Sequence, residues 1–250
     1  MARLIGRFFV GTVLLSPLIL FAAEGIAFHL EASKPISRFN SRQISLLSKL
    51  NHVDPGSLSR FSRIVVPDRW DLDDLDYSPM PKVIEIFMNE RKALLVDLEG
   101  QTFGAYESGA LVRWGPVSSG DRNHQTPAGV YHLNWQAPVR TSSENPAWVM
   151  HWYFNFSSAR GLALHQYTLP GRPASHGCVR LLPLDARWLY RWGEGWLLDP
   201  GTRETMRTGT LVVLVGIYNF TVPQPWLRPK WWAEGILVHL ERLEDRLDPK

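Results

Sequence analysis

Residues 82–218 constrain the fold more than any other stretch, because short β-prone runs and turn residues alternate along their whole length. The runs 83–87, 93–98, 102–106, 111–119, 130–135, 148–156, 161–165 and 210–218 read as strands, rich in Val, Ile, Leu and aromatic residues. Asn89-Glu90, Glu99-Gly100 and Thr126-Pro127-Ala128-Gly129 read as turns, and 120–125 and 137–146 as polar loops. Strands at this spacing predict a sandwich or barrel. One helix interrupts them over 183–191, with Pro183 in its first turn and Gly193 at its stop. The run 210–218 is nearly all apolar and predicts a central strand. The fold class is therefore mainly β with a few helices (α+β).

The chain can build a real core, since 45% of its 250 residues are hydrophobic and 12% aromatic. Its net charge is only +3, and the basic residues are scattered. No Lys/Arg block, recognition helix, zinc-finger or RNP pattern occurs, which argues against a nucleic-acid partner. A mildly basic surface suits an acidic polymer such as a cell wall.

The flanks divide from this β-rich part by composition. Residues 1–28 carry a targeting pattern: Arg3 and Arg7 precede an uncharged apolar run over 8–23, and Ala23-Glu24-Gly25 offers a cleavage site. The expectation is export to the periplasm or cell envelope. If residues 25–28 join the run past Glu24, the segment becomes an uncleaved membrane anchor; a buried N-terminal helix is the third reading. Residues 29–77 form a small N-terminal region with a helix capped by Ser41 and running through Leu50, an Asp54-Pro55-Gly56 turn and a strand over 63–67. That order resembles the second half of a LysM glycan-binding module; a packing appendage on the main domain is the alternative. Residues 78–222 are the expected catalytic unit. Residues 223–250 begin as a linker stiffened by Pro223, Pro225 and Pro229. They continue as a helix with Trp232, Ile236, Leu240, Leu243 and Leu247 on one face.

The chemistry centres on Ser175-His176-Gly177-Cys178-Val179-Arg180. Cys178 is the only cysteine, so no intrachain disulfide can form. It follows a loop containing Gly171, Arg172 and Pro173, and His165 ends an apolar strand just upstream. An unperturbed thiol is mostly protonated at neutral pH, so a nucleophilic cysteine needs a base. His176 lies two residues from the sulfur in a tight turn. His165 arrives from another segment and can approach head-on, which makes it the general base and later acid. The amides of His176, Gly177 and Cys178 form an anion-binding nest suited to an oxyanion. Arg180 either holds the loop or binds a substrate carboxylate. Ser175 and Arg172 stand in the same loop as candidate substrate contacts. His151 is read as a strand histidine. A partial zinc site of His165, His176 and Cys178 is the minor alternative, since zinc needs a fourth ligand.

Taken together, His165 and the Ser175–Arg180 run resemble the signature of the L,D-transpeptidase family, with its YkuD-type catalytic domain. The likeness extends over about 83–218. Pro116-Val117-Ser118-Ser119-Gly120 followed by Thr126-Pro127-Ala128-Gly129 is similar to another family segment, and the aromatic strand before the histidine also fits. The resemblance implies a mixed β-sandwich catalytic domain acting on peptidoglycan. Cys178 would attack the L,D bond of a tetrapeptide stem, release the terminal D-amino acid and pass the acyl group to an amine. The carbonyl of Gln166 would orient His165. No metal or organic cofactor is implied, and carbapenem β-lactams are the implied inhibitors. Two departures bear on the acceptor. Only nine residues separate His165 from Ser175, which implies a shorter, more open lid, and Gln166 stands where many members have Gly. Three alternatives remain: an L,D-carboxypeptidase using water, a transferase joining an envelope protein's Lys to the wall, and a non-catalytic wall-binding protein.

Overall fold

A computed structural model describes residues 26–32 and 35–234. The leader, and the terminal helix beyond residue 234, lie outside the described residues.

The N-terminal region is a strand–helix–strand unit. Strand β1 (Phe28–Ala32) leads to helix α1 (Ser41–Asn51) and then to β2 (Arg63–Pro67), which pairs antiparallel with β1. Asn40 starts α1 with a capping box: its side chain accepts from the Gln43 amide at 2.9 Å, and Gln43 Oε1 accepts from the Asn40 amide at 3.0 Å. His52, in the left-handed conformation, ends it. The unit packs as an appendage on the main body. Leu46, Leu50 and Val65 share one apolar cluster with Trp114, Val213, Trp226 and Trp232. The His52 ring stacks on Trp226 at 4.1 Å, and burial holds its pKa down to about 3, so it is neutral.

The main body is one nine-stranded sheet. Strand β3 (Ala93–Asp97), β4 (Thr102–Glu107) and β5 (Ala110–Ser118) form an antiparallel meander. Then come β6 (Gly129–His132), the hairpin of β7 (Gln136–Thr141) and β8 (Val149–Ser157), β9 (Leu162–Gln166) and β10 (Val179–Leu181). Helix α2 (Pro183–Trp192) follows, then a small hairpin of β11 (Leu197–Leu198) and β12 (Thr205–Arg207), and β13 (Leu211–Val215). A short helix α3 (Pro229–Glu234) ends the described chain. The strand order is β6-β13-β3-β4-β5-β10-β9-β8-β7. Two neighbour pairs, β13–β3 and β9–β10, are parallel; the others are antiparallel. The expected sandwich is thus a single curled mixed sheet. Its inner residues, among them Val96, Phe103, Phe154, Leu164 and Val179, enclose a second apolar cluster that α2 closes with Ala186 and Leu189.

Two expected elements differ. The run 83–87 is not a strand: Val83 makes one isolated bridge to Ala110, and the chain then turns into a 3-10 helix at Glu85–Phe87 that buries Phe87. The supposed loop over 137–146 contains β7, an edge strand exposed on both faces and carrying Pro138. With neither face buried, no alternation of polarity marks it, and proline is tolerated at an edge. The apolar run predicts a central strand; β13 is interior, paired on both sides by β6 and β3, and wholly buried, though it stands one place from the sheet edge.

Asp185 in the first turn of α2 is buried, and Arg113 of β5 reaches it with Nε at 2.8 Å and Nη2 at 2.7 Å from Oδ1. Burial pushes the Asp185 carboxyl up against the opposing pull of Lys49 and Arg113. Removing the arginine leaves a buried carboxylate without its partner. Arg113→Ala is therefore expected to cost about 3–5 kcal/mol in urea unfolding; a loss below about 1 kcal/mol, the scale of an exposed pair, would show that the pair does not hold α2 to the sheet.

Candidate functional site

Strands β9 and β10 lie side by side and parallel, with Leu164 opposite Val179 and His165 opposite Arg180. Parallel neighbours need a crossover of about a dozen residues or more. Here it is the loop 167–178, which ends on Cys178. The pairing brings two residues distant in sequence to the wall of one cleft, about 190 Å³ in volume, lined by His165, Ser175, His176, Cys178 and Arg180.

The loop is fixed at both ends. Near its start, the Leu169 amide donates to Asp54 Oδ2 at 3.0 Å, the Asp54 amide to the Leu169 carbonyl at 3.2 Å, and the Gly171 amide to the His52 carbonyl at 3.0 Å. Near its end, the Ala174 and Ser175 amides both donate to the Ser119 carbonyl at 3.0 Å, and the Asp121 amide donates to the Ser175 carbonyl at 2.8 Å. Buried Gln101 holds Ser119 in turn, accepting its amide and donating to its hydroxyl, each at 2.8 Å. Thr126 Oγ1 donates to the Gly177 carbonyl at 2.8 Å and accepts the Gly120 amide at 2.9 Å. Gly177 sits at φ +102°, where a Cβ would also approach Leu162 to 3.0 Å, so a glycine is required there.

His165 is 4% exposed, and its Nδ1 lies 3.0 Å from the Gln166 carbonyl. That partner can only accept, so Nδ1 carries the proton and Nε2 has the free lone pair. Burial pushes the His165 pKa down to about 4; the Gln166 carbonyl resists this and Arg180 adds to it. The Cys178 thiol is pushed up, chiefly by burial, and the Glu144 charge adds to the rise. The Ala163 backbone and Arg180 pull the other way. At rest the thiol faces the Gly161 carbonyl at 3.7 Å, and it packs beside Met150, Tyr153 and Ala163. Both groups are thus neutral near pH 7.

The remaining residues fall in different places. The His176 ring stacks on His124 at 3.9 Å and contacts Trp148 at 4.8 Å, so it forms part of the cleft rim. The Gly177 amide donates to Ser175 Oγ at 3.1 Å and is already occupied. Ser175 Oγ donates to the Cys178 carbonyl, which makes this buried serine a pin within the loop. The amides of His176 and Cys178 have no acceptor among the described residues. Arg180 lines the cleft with its guanidinium over Tyr167 at 4.7 Å and 3.4 Å from the Thr168 carbonyl. Arg172 is exposed and does not line the cleft; its carbonyl accepts from Ser118 Oγ at 2.8 Å. His151 is exposed and likewise absent from the lining. His165, His176 and Cys178 do not gather as metal ligands. Among the described residues the only such group is Asp121, His124 and His176.

Much of the opposite wall was not foreseen. It comes from the β7–β8 hairpin and its turn: Arg140, Ser142, Glu144, Trp148, Met150 and Tyr153. The expected lid between His165 and Ser175 is instead tied down to the α1 end and to Ser119, and only Tyr167 and Ser175 of it reach the cleft. Simple alternation along β8 would place Trp152 beside Met150. Trp152 instead has φ +54°, at a register shift between His151 and Phe154. This bulge sends Trp152 against Tyr190 and turns Tyr153 to the cleft.

The YkuD L,D-transpeptidase catalytic domain profile matches residues 91–214. Among solved structures, an L,D-transpeptidase from Stackebrandtia nassauensis is 26% identical, covering 52% of this chain and 57% of that one, with a TM-score of 0.42. One from Mycobacterium smegmatis is 18% identical over 50% and 58% of the two chains, with a TM-score of 0.39. L,D-transpeptidase 3 from Mycobacterium tuberculosis, in complex with a faropenem-derived adduct, is 19% identical over 50% and 60%, also at 0.39. The chain thus spans less than two thirds of each of these proteins. No curated protein matches it. The chain is mostly β with few helices, and residues 91–214, which hold His165 at the end of β9 and Cys178 just before β10, match the catalytic domain of the L,D-transpeptidase family.

Proposed function

We propose that the protein is a peptidoglycan L,D-transpeptidase of the cell envelope, with Cys178 as nucleophile and His165 as general base and acid. One observation carries the reading: the only cysteine lines a cleft from the residue just before β10, and on the neighbouring strand β9 stands a buried histidine whose Nδ1 is fixed by a carbonyl. The leader pattern supports export, and the family supports the wall as substrate.

The steps follow from the two neutral groups. The thiol turns from the Gly161 carbonyl toward His165 Nε2 and gives up its proton as the sulfur attacks the carbonyl carbon of the third stem residue. The amides of His176 and Cys178, which have no acceptor among the described residues, stabilise the oxyanion; Gly177 contributes the turn. The imidazolium returns its proton to the leaving amino group, the C–N bond breaks, and a thioester remains on Cys178. An acceptor amine then attacks, loses a proton through His165 to the departing sulfur, and forms the new amide bond. Gln166 holds the imidazole in the required tautomer, and Arg180 faces the cleft with a charge suited to a stem carboxylate.

Mass spectrometry of the protein with tetrapeptide stems tests the assignment: dimers or amine-exchanged stems are expected, and tripeptide alone would replace it with the carboxypeptidase reading. Meropenem is expected to add covalently to wild type and not to Cys178→Ala. An unmodified wild-type protein, still folded, would point to the non-catalytic reading.

The pH dependence has a definite sign. His165, lowered to about 4, is already a free base above that pH, and the raised thiol keeps its proton through neutrality. Acylation by meropenem, which needs the thiol and the neutral imidazole together, is expected to change little between about pH 5 and 8. Alkylation of Cys178 by iodoacetamide needs thiolate alone and should rise about tenfold per pH unit over the same range. Parallel profiles for the two reagents would mean that a preformed ion pair does the attacking.

A further inference from the structure

Glu144 is the one acid among the residues that line the cleft, where Arg140, Arg160 and Arg180 supply the opposite charge. Two of these arginines rest on aromatic rings: Arg140 over Trp135 at 4.9 Å and Arg180 over Tyr167 at 4.7 Å. The Glu144 carboxylate makes no hydrogen bond or ion pair among the described residues; only its backbone amide is engaged, donating to Ser142 Oγ at 3.1 Å. The turn that presents it is ordered by its own bonds, Ser142 amide to the Trp148 carbonyl at 3.0 Å and Trp148 amide to the Asn145 carbonyl at 2.9 Å. An unpartnered carboxylate on this ordered turn holds no other part of the fold together among the described residues. Its charge also raises the thiol, so it works against the nucleophile. The reaction has a second substrate for which a negative charge is an asset, the acceptor, which reaches the cleft from water as an ammonium ion.

We propose that Glu144 is the acceptor-binding residue: its carboxylate, in the β7–β8 turn, receives the ammonium group and makes an amine a better acceptor than water. This rests on the transpeptidase reading above. The ammonium held by the carboxylate loses one proton to bulk water, and the free amine nitrogen attacks the thioester carbon. The C–S bond then breaks, and the second amine proton reaches the sulfur through His165. The arginines take the carboxylates of the stem peptides, so the two signs of charge sort the substrates.

The test uses the full chain, a synthetic tetrapeptide stem ending in D-alanine as donor, and a tripeptide stem with a free side-chain amine as acceptor. Mass spectrometry gives the ratio of transfer to hydrolysis, and initial rates give the KM for the amine. For Glu144→Gln the amine KM is expected to rise about tenfold, the scale of one charge-assisted hydrogen bond. The products should shift toward hydrolysis, while meropenem acylates the variant faster because the thiol has lost an opposing charge. Glu144→Asp should keep part of the preference for amine. An unchanged amine KM and transfer ratio in Glu144→Gln, with meropenem still adding, would overturn the role of Glu144 alone. A wild-type protein that takes up neither donor nor meropenem would overturn the transpeptidase reading and this one with it.

Discussion

The parallel pairing of β9 with β10 is the constraint on which the site depends. Antiparallel neighbours could be joined by two residues, but parallel ones need a crossover, and here it is an irregular loop without a helix. Such a loop carries many backbone polar groups and gains little from packing unless other segments satisfy them. Three segments do so: the end of α1 through His52 and Asp54, the end of β5 through Ser119, and the following loop through Asp121 and Thr126. The N-terminal region thus reaches the site without touching the cleft. Its apolar face is buried against the sheet, and its last turn anchors the start of the loop that ends on Cys178.

Legibility in the sequence followed what each residue must do locally. Strands buried on one or both faces announce themselves by composition, and β3 to β5, β8, β9 and β13 appear close to where the pattern places them. Gly177 is readable because its conformation excludes other residues, whereas the cap of α1 is Asn40 and not the expected Ser41, since both residue types cap helices and they stand side by side. His165 and Cys178 stand out because a sole thiol and a strand-end histidine are rare company. The opposite wall left no such trace. Strand β7 is an edge with two wet faces, Glu144 is one exposed acid among many, and the Trp152 bulge inverts a parity that the sequence gives no reason to doubt. The run 83–87 misled for the converse reason: Ile84 and Phe87 are buried by tertiary contacts, not by pairing in a ladder.

Burial decides what kind of cysteine chemistry the site can run. A thiolate–imidazolium pair gains Coulomb energy but loses the hydration of both ions, and in a dry setting the second term can win. Here it wins on both sides, since burial is the largest influence on each group and moves the thiol up and the imidazole down. The Gln166 carbonyl cannot reverse this; it sets the tautomer instead. In the proposed reaction, charge appears only as the sulfur meets its carbonyl, beside the His176 and Cys178 amides, which have no acceptor among the described residues. A cysteine of the proposed kind holds no ion pair at rest and stays quiet toward reagents that offer no carbonyl for an oxyanion hole.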